Sequence, residues 1–313
     1  MPTVPSALPL TSDHHQPAFH TLADFRRDPQ GGPDTEFALA PIGNLTSGPT
    51  RCIMQRSEKG GASQMTFASH AFPRVLETSI FRIGLDGSDK AYLGSLGFIL
   101  RRYPPHAVIA RQGDEEERIF IIHSGWGCIC TDLMDGERQI LDFPLKGEFV
   151  ASRAFEGEAS ESFIAQTELM VFEAPAKAFA SGLTHSPSLS AILLGAIARE
   201  RAILVQHLTN LGRRSALIRT AHLLLELGTR LEKADAANGN GFECPLTQYD
   251  LADALGLTAI HVNRMLRELR ERGYLEFRHG CVHFLNREGL ERFADFDPEY
   301  LRLPGERRNG YAS

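Results

Sequence analysis

The sequence predicts an α+β protein, with a roll of short β-strands first, a long central helix next and a helical part with a β-hairpin last. Three observations predict this order. Short apolar runs separated by turn residues fill residues 75–185, an apolar repeat of helical period follows for more than 20 residues, and a two-helix pattern precedes two strand-like runs near residues 248–285. The 313 residues are enough for two modest cores.

The overall charge does not by itself indicate a partner. The formal net charge is −6, but the residues from 199 onward carry 17 Lys and Arg against 16 Asp and Glu, so the acidic excess lies before them. No stretch reaches the roughly 18–20 consecutive apolar residues that a membrane helix needs. The first residues also lack the basic and apolar regions of a secretory signal. We therefore expect a cytoplasmic protein with no membrane partner.

Residues 1–74 are rich in residues that interrupt regular structure. Nine of the 17 prolines lie within residues 1–73, together with two Gly-Gly pairs and many Ser and Thr residues. Such a segment buries too little apolar surface to offset the entropy lost on ordering. We therefore predict a largely disordered extension over residues 1–74.

Residues 75–185 contain six or more strand-like runs at a spacing of roughly 8–12 residues, which is typical of a sandwich, barrel or jelly roll. Turn residues separate the runs. Asp135–Gly136 is a strong hairpin signal, and Gln112–Gly113 and Ser124–Gly125 mark further turns. Before the strands, Ser88–Asp89 predicts the N-cap of a short helix. The pattern favours an N-terminal β jelly roll.

The stretch from 186 to 212 predicts one long helix that begins near Pro187. The apolar positions on one face are Leu189, Leu193, Ile197, Leu204, Leu208 and Leu211. Such a helix could pack wholly on its own domain, or pair with a second copy of itself. We favour pairing, and hence a homodimer, because a helix this long between two domains has too little protein of its own to cover it.

Residues 213–297 contain the spacing of a helix-turn-helix. Counted from Gln248 as the first, the fifth, ninth and fifteenth residues are Ala252, Gly256 and Val262. A helix-turn-helix needs a small residue where the helices approach, a glycine at the turn and a branched residue that holds the second helix on the first. The alternative is an amphipathic helix pair in an interaction module.

The run GYLEFRHGCVHFL, which follows, predicts a hairpin turning at His279–Gly280. It would form the wing of a winged helix, and it favours DNA binding over the interaction module. Residues 298–313 are interpreted as a tail.

In a winged helix the second helix enters the major groove with its N-terminus first. Arg264 is the best candidate for a bidentate contact to guanine, Asn263 can read adenine, and Arg267 would face phosphates. The predicted DNA-binding residues are Thr247, Gln248, Thr258, Ala259, Ile260, His261, Asn263, Arg264, Arg267 and His279.

Together these parts resemble the Crp/Fnr superfamily of bacterial transcription regulators. The resemblance rests on a roll with RQGD, SGW, DGERQILDF and KGEF, on the long central helix and on the winged helix-turn-helix, and it runs from about Leu76 to Phe293. It implies a jelly roll like a cyclic-nucleotide-binding domain that senses an effector. It also implies a homodimer paired through residues 188–211, a two-fold symmetric operator in double-stranded DNA, and contact with RNA polymerase.

The resemblance places candidate effector-pocket residues at Gly147, Glu148, Arg153 and Ser160. Members that bind cyclic AMP follow the Gly-Glu pair with an Arg-Ser pair that holds the phosphate, and that pair falls here on Ala159–Ser160. The nearest charges are acidic and would repel a phosphate. Binding of a cyclic nucleotide or another small acid is therefore the alternative, and the signal is left open.

We expect no cofactor and no metal. Oxygen-sensing members hold an iron–sulfur cluster on several N-terminal cysteines, and Cys52 alone cannot do so. A thiol or heme sensor at Cys128 and Cys130 and an oxidation-sensitive wing near Cys244 and Cys281 are minor hypotheses. A jelly roll can also be a cupin-type metal enzyme, but the strands supply chiefly His123 as a ligand, so we expect a regulator and not an enzyme.

Overall fold

The computed structural model describes residues 53–54, 63–66, 85–115, 117–151, 159–184 and 186–302. In these ranges strands come first, a long helix follows, and a helical part with a small sheet comes last. The predicted α+β fold is therefore confirmed. Among the described helices, none is both long and apolar enough to cross a membrane.

The first part is a sandwich of two antiparallel sheets. Its strands are β1 (Ile53–Met54), β2 (Ser63–Thr66), β3 (Ile99–Tyr103), β4 (Val108–Ala110), β5 (Arg118–Ser124), β6 (Gly127–Asp132), β7 (Arg138–Asp142), β8 (Phe149–Ala151), β9 (Ser162–Ala165) and β10 (Leu169–Pro175). One sheet has the order β1-β2-β3-β10-β5-β8 and the other β4-β9-β6-β7. Apolar side chains of both sheets form a common core, in which the rings of Phe120 and Phe163 lie 5.3 Å apart.

Strand β5 shows why its run Ile-Phe-Ile-Ile is apolar at every position. Ile119 and Ile121 pack in a cluster with residues of the neighbouring helices, whereas Phe120 and Ile122 belong to the core between the sheets. All four side chains are buried. A strand that is covered on both faces shows a continuous apolar run in place of polar alternation.

The structure adds to one prediction for the start of the chain and corrects another. Strands β1 and β2 lie within residues 1–74, where a largely disordered extension was predicted, and β2 pairs with β3 at the sheet edge. Such short edge strands carry little periodic signal. The other residues of this segment lie outside the described ranges. The first helix, α1 (Gly87–Ser95), is capped by Asp86 and not by Ser88–Asp89. The Asp86 carboxylate accepts hydrogen bonds from the backbone N–H groups of Ser88 and Asp89.

Helix α2 (Ala176–Leu183) leads to the long helix α3 (Pro187–Arg213). Pro187 occupies the first turn of α3, and the Ser186 hydroxyl accepts a hydrogen bond from the N–H of Leu189. The helix therefore begins where the sequence predicted.

The last part consists of helices around a small antiparallel sheet. The helices are α4 (Ala216–Lys233), α5 (Gln248–Leu255), α6 (Ala259–Glu271), α7 (Arg287–Ala294) and a 3-10 helix (Pro298–Leu301), and the strands, in the sheet order β11-β13-β12, are β11 (Gly241–Glu243), β12 (Leu275–Arg278) and β13 (Cys281–Phe284). The 3-10 helix corrects the prediction of a tail from residue 298, because Leu301 is fully buried. A single turn of helix is too short for a periodic signal.

One apolar core joins the roll to the last part. Trp126, Cys128 and Phe143 of the roll belong to the same buried cluster as Leu224 of α4. Trp126 also stacks on Phe242 of β11, with the ring centroids 6.5 Å apart. The two parts therefore share buried apolar surface that each would expose alone.

Candidate nucleic-acid interface

Helices α5 and α6 form a helix-turn-helix. The Thr247 hydroxyl accepts from the N–H of Asp250, and the Asp250 carboxylate accepts from the N–H of Thr247, so a capping box starts α5. Gly256 ends α5 with φ 58° and ψ 47°, in the left-handed region. Ala252 and Val262 are both buried between the helices. The places predicted from the sequence spacing are thus confirmed.

Replacing Gly256 by Ala is expected to lower the free energy of unfolding by about 1–2 kcal/mol, because a side chain disfavours the left-handed conformation. A Cβ atom there would also lie 3.3 Å from Cδ2 of Leu211. Urea unfolding measures the effect. The matched control is Gly212→Ala, near the end of α3, where a Cβ atom meets nothing within 4 Å and stability should rise by about 0.5–1 kcal/mol. Equal effects of the two changes would contradict the prediction.

The outward face of α6 carries most of the residues predicted to contact DNA. Val262, Met265 and Leu269 are buried, which turns the opposite side of the helix outward. Ile260 is 83% exposed, so a large apolar side chain projects from the first turn of α6. Among the predicted residues, the exposed ones are Thr247, Gln248, Thr258, Ile260, Asn263, Arg264, Arg267 and His279, and the half-buried ones are Ala259 and His261.

Hydrogen bonds orient the polar side chains on this face. Nη2 of Arg264 lies 2.8 Å from Nε2 of His261, which can accept this bond only as a neutral imidazole. The Asn263 amide donates to Oε1 of Gln248 at the start of α5. Because the amide nitrogen carries two hydrogens, Asn263 can keep its bond to Gln248 and still donate to an adenine.

The hairpin β12–β13 lies beside α6 as a wing. It turns at His279 and Gly280, whose φ angles are 51° and 73°, as the sequence predicted. A cleft of about 880 Å³ separates α5 and α6 from the wing. The basic side chains along this cleft are Arg267, Arg270, Arg278 and His279. Arg278 was not predicted as a contact, yet it adds to a local positive surface of the kind that attracts phosphates.

Helix α3 presents an apolar stripe to the outside. Its exposed members are Leu194, Ile197, Leu204, Val205, Leu208 and Leu211. All but Val205 follow the alternating three- and four-residue spacing of a coiled-coil seam. Arg201 occupies the position of this spacing between Ile197 and Leu204 and is its one polar residue.

Two residues predicted for this stripe are corrected by the structure. Leu189 is fully buried against the roll of its own chain, and Leu193 is half-buried in the same cluster. Leu194 and Val205, which are exposed, were missed. The apolar residues of α3 occupy two adjacent faces, and the period of the sequence cannot tell which face the roll covers.

Of the candidate effector residues with described positions, Glu148 lines a small cleft of about 40 Å³ between the roll and α3, whereas Gly147 and Ser160 do not line it. Gly147 forms a turn with φ 85°, and the Ser160 hydroxyl donates to Glu161. The Glu148 carboxylate lies 3.0 Å from Arg199 and 2.6 Å from Arg230, so it is already paired. Arg153 lies outside the described residues.

Within the described residues, this cleft offers no unpaired cation to a cyclic phosphate. Its two guanidinium groups, on Arg199 and Arg230, are engaged by Glu148. Residues 159–165 contain no Arg or Lys that could hold a phosphate. Burial and the negative charges of nearby acids raise the pKa of Glu200, which lines the cleft, to about 7. The described lining of the cleft thus places acids beside arginines that are already paired.

A network of buried charges lies next to this cleft. Arg230 of α4 pairs with Asp142, Glu148 and Glu226, and its side chain is only 1% exposed. Burial favours the neutral acid, but Arg230 and Arg199 outweigh it and lower the pKa of Glu148 to about 2. The Tyr300 hydroxyl donates to Glu226 over 2.8 Å. Paired in this way, the charges can remain ionised inside the protein.

His207 of α3 completes the network. Its Nδ1 lies 2.9 Å from the carbonyl oxygen of Leu141 and its Nε2 lies 3.0 Å from Glu226. Because both nitrogens face acceptors, the ring satisfies both contacts only when it carries two protons. Burial lowers the pKa of His207, but Glu226 and Asp142 outweigh burial and raise it to about 9.

This raised pKa predicts a loss of stability at alkaline pH. The contribution of His207 is fully present below its unfolded pKa of about 6.5 and disappears as the pH rises through about 9. It amounts to about 3 kcal/mol at about 1.4 kcal/mol per pKa unit. Urea unfolding of the wild type and of His207→Gln should therefore differ most below about pH 6.5 and converge above about pH 9. A difference that does not change with pH would contradict the prediction.

The cysteines with described positions lie inside the fold or at its edge. Cys128, Cys130 and Cys244 are buried, and Cys281 is half-buried. Burial raises the pKa of Cys244 to about 12, so its thiol is unreactive as placed. Within the described ranges, no three His, Cys, Asp or Glu side chains are arranged to hold a metal ion. The sensor and wing-oxidation hypotheses remain predictions.

Comparison with known families identifies both parts of the chain. Residues 100–186 match the family described as a cyclic nucleotide-binding domain, and residues 218–293 match the Crp-like helix-turn-helix domain. The second match covers the winged helix-turn-helix that the spacing predicted.

Known relatives are similar over more than half of the chain. The nitrogen fixation regulation protein FixK of Rhizobium meliloti (strain 1021) is 31% identical over 184 residues, which cover 58% of this chain and 79% of FixK. The transcriptional activator protein FnrL of Cereibacter sphaeroides is 26% identical over 56% of this chain and 71% of its own length. The solved structure of FixK2 from Bradyrhizobium japonicum superposes with a TM-score of 0.57 and 25% identity, over 62% of this chain and 96% of FixK2.

These matches agree with the geometry of the helix-turn-helix and its wing. The chain carries a helix-turn-helix DNA-binding domain, and the proteins it resembles are regulators of transcription, which are generally not enzymes. The chain therefore belongs to the Crp/Fnr family of transcription regulators.

Proposed function

We propose that the chain acts as a homodimer that reads a two-fold symmetric operator in double-stranded DNA. Two copies pair along the exposed stripe of α3, and each inserts α6 into the major groove. The observation that carries this proposal is the outward face of α6, which presents exposed Ile260, Asn263 and Arg264 beside a wing with basic residues. A dimer with one recognition helix per copy fits half-sites one helical turn apart.

The roles of individual residues follow from their positions. Arg264, exposed and oriented by His261, makes the bidentate guanine contact, and Ile260 meets a thymine methyl group. Arg267, with Arg270, Arg278 and His279 along the cleft, contacts phosphates. Thr247, Gln248, Thr258 and Ala259 lie at the starts of α5 and α6, where helix N-termini approach the DNA backbone.

The roll, residues 75–185, is proposed to be the regulatory domain, residues 186–212 the dimer helix, and residues 213–297 the DNA-binding domain. As a regulator of this family, the dimer is proposed to contact RNA polymerase at its promoters.

Selection of duplexes from a random library by the purified full-length chain tests the proposal. The expected result is an inverted repeat whose half-site centres lie about 10–10.5 base pairs apart, bound by two copies of the chain. Light scattering of the complex gives the number of copies. Enrichment of a single half-site bound by one copy, or no enrichment over random sequence, would contradict the proposal.

A further inference from the structure

Two arginines tie the DNA-binding part to the roll. The first is Arg230 of α4. Its side chain extends to the end of β7 and the loop after it, and it forms ion pairs and a hydrogen bond there. Its guanidinium lies 2.6 Å from both Asp142 and Glu148 and also donates to the carbonyl oxygen of Phe143 at 3.1 Å. Glu148 belongs to the Gly-Glu pair that the resemblance assigns to the effector pocket. The contact that a bound effector would make with Glu148 is thus made by the chain's own side chain.

The second arginine is Arg138 at the start of β7. Its Nε donates to Asp253 over 2.7 Å and its Nη2 donates to Asp250 over 3.0 Å, both on α5. The neighbouring Gln139 donates to the carbonyl oxygen of Ala254. Both acids lie on the first helix of the helix-turn-helix, so β7 contacts the DNA-binding unit directly.

These contacts leave the DNA-contacting surface open. In the same arrangement, Ile260 is 83% exposed, and Arg264 and Arg267 are exposed as well. The face of α5 that Arg138 holds, by contrast, carries the buried Asp250. The docked arrangement is therefore compatible with entry of α6 into a groove, and the contacts do not shield the helix from DNA.

From this we propose that Arg138 and Arg230 are positioning residues for DNA recognition. They fix the helix-turn-helix on the roll in the orientation that binds DNA, and Arg230 occupies the Glu148 contact in place of a small-molecule effector. This inference rests on the proposed function, because its consequence is read as operator affinity. A rigidly docked domain binds more tightly than a loosely attached one, since less orientational freedom is lost on binding.

The Arg138–Asp253 pair permits a charge-swap test without emptying the core, because each side chain is about one-third exposed, at 33% and 31%. Operator affinity is compared among the wild type, Arg138→Glu, Asp253→Arg and the double variant. We expect Arg138→Glu to weaken binding about 5-fold or more and the double variant to restore part of the loss, because the pair with position 253 is restored while the carboxylate at position 138 still faces Asp250. The Asp253→Arg variant alone shows how much affinity the introduced arginine adds through a new contact with a DNA phosphate. Unchanged or tighter binding by Arg138→Glu, or no restoration in the double variant, would overturn the proposal.

A measurement without DNA separates this inference from the proposed function. Amide hydrogen exchange in α5 is expected to be faster in Arg138→Glu than in the wild type and to move back toward the wild-type rate in the double variant. If exchange follows this pattern but the wild type selects no operator, the proposed function fails while the docking stands. Equal exchange in all variants would overturn the docking itself.

Cyclic AMP serves as the probe for the Arg230 contact. Because Arg230 and Arg199 already bind Glu148, excess cyclic AMP is expected to leave the operator affinity of the wild type unchanged. A rise in affinity on its addition would show that a small molecule can take the place of Arg230, and would overturn that part of the inference.

Discussion

Replacing Leu208 by Glu is expected to convert a dimer into monomers. Leu208 is 70% exposed and lies in the middle of the apolar stripe on α3. A buried Leu side chain contributes about 1.5–3 kcal/mol, and a two-fold interface contains it twice. The loss of about 3–6 kcal/mol weakens self-association about 100-fold or more, at about 1.4 kcal/mol for each factor of ten. Sedimentation equilibrium measures the change, and operator affinity should fall with it.

The matched control is Met134→Glu. Met134 is fully exposed at the tip of the β6–β7 hairpin, so the same charge is introduced at an apolar side chain away from α3. Self-association should not change in this variant. A dimer that survives in Leu208→Glu would show that α3 is not the pairing surface.

Replacing Arg264 by Ala is expected to cost about 1–3 kcal/mol of operator binding and to relax selection at one base pair of each half-site. The lost binding corresponds to a factor of about 5–150. The physical reason is the removal of two parallel hydrogen bonds to one guanine. Arg267→Ala should instead weaken binding evenly across sequences and reduce its salt dependence, because a phosphate contact carries no sequence information. Competition between operator variants at several salt concentrations separates the two effects.

Arg292→Ala is the control for lost positive charge, since Arg292 of α7 is an exposed arginine outside the cleft between α6 and the wing. Its operator affinity should stay close to that of the wild type. If Arg264→Ala kept the selectivity of the wild type at every base pair, the orientation of α6 in the groove would be wrong.

The helix-turn-helix could be predicted from the sequence because its constraints are local. Ala252, Gly256 and Val262 lie within 15 residues of Gln248, and each residue type is dictated by a close approach, a positive φ or a buried contact. The wing was also predictable, because adjacent residues with positive φ at His279–Gly280 mark a tight hairpin turn. The residue types at these positions predict the structure without knowledge of contacts that are distant in sequence.

The charged network and the pairing face could not be predicted in this way. Arg230 and Asp142 are 88 residues apart in sequence, and Arg138 and Asp250 are 112 apart. Nothing in the local pattern distinguishes these arginines from solvated ones. On α3, Leu189 and Leu194 are both apolar at helical spacing, and only the position of the roll makes one a core residue and leaves the other exposed.

Trp126, Phe242 and Leu224 belong to one continuous hydrophobic cluster of aromatic and aliphatic side chains. Heat or denaturant should therefore unfold the β-roll and the helix-turn-helix part together, in a single cooperative transition. A C-terminal half expressed alone would expose these apolar side chains to water and would tend to aggregate.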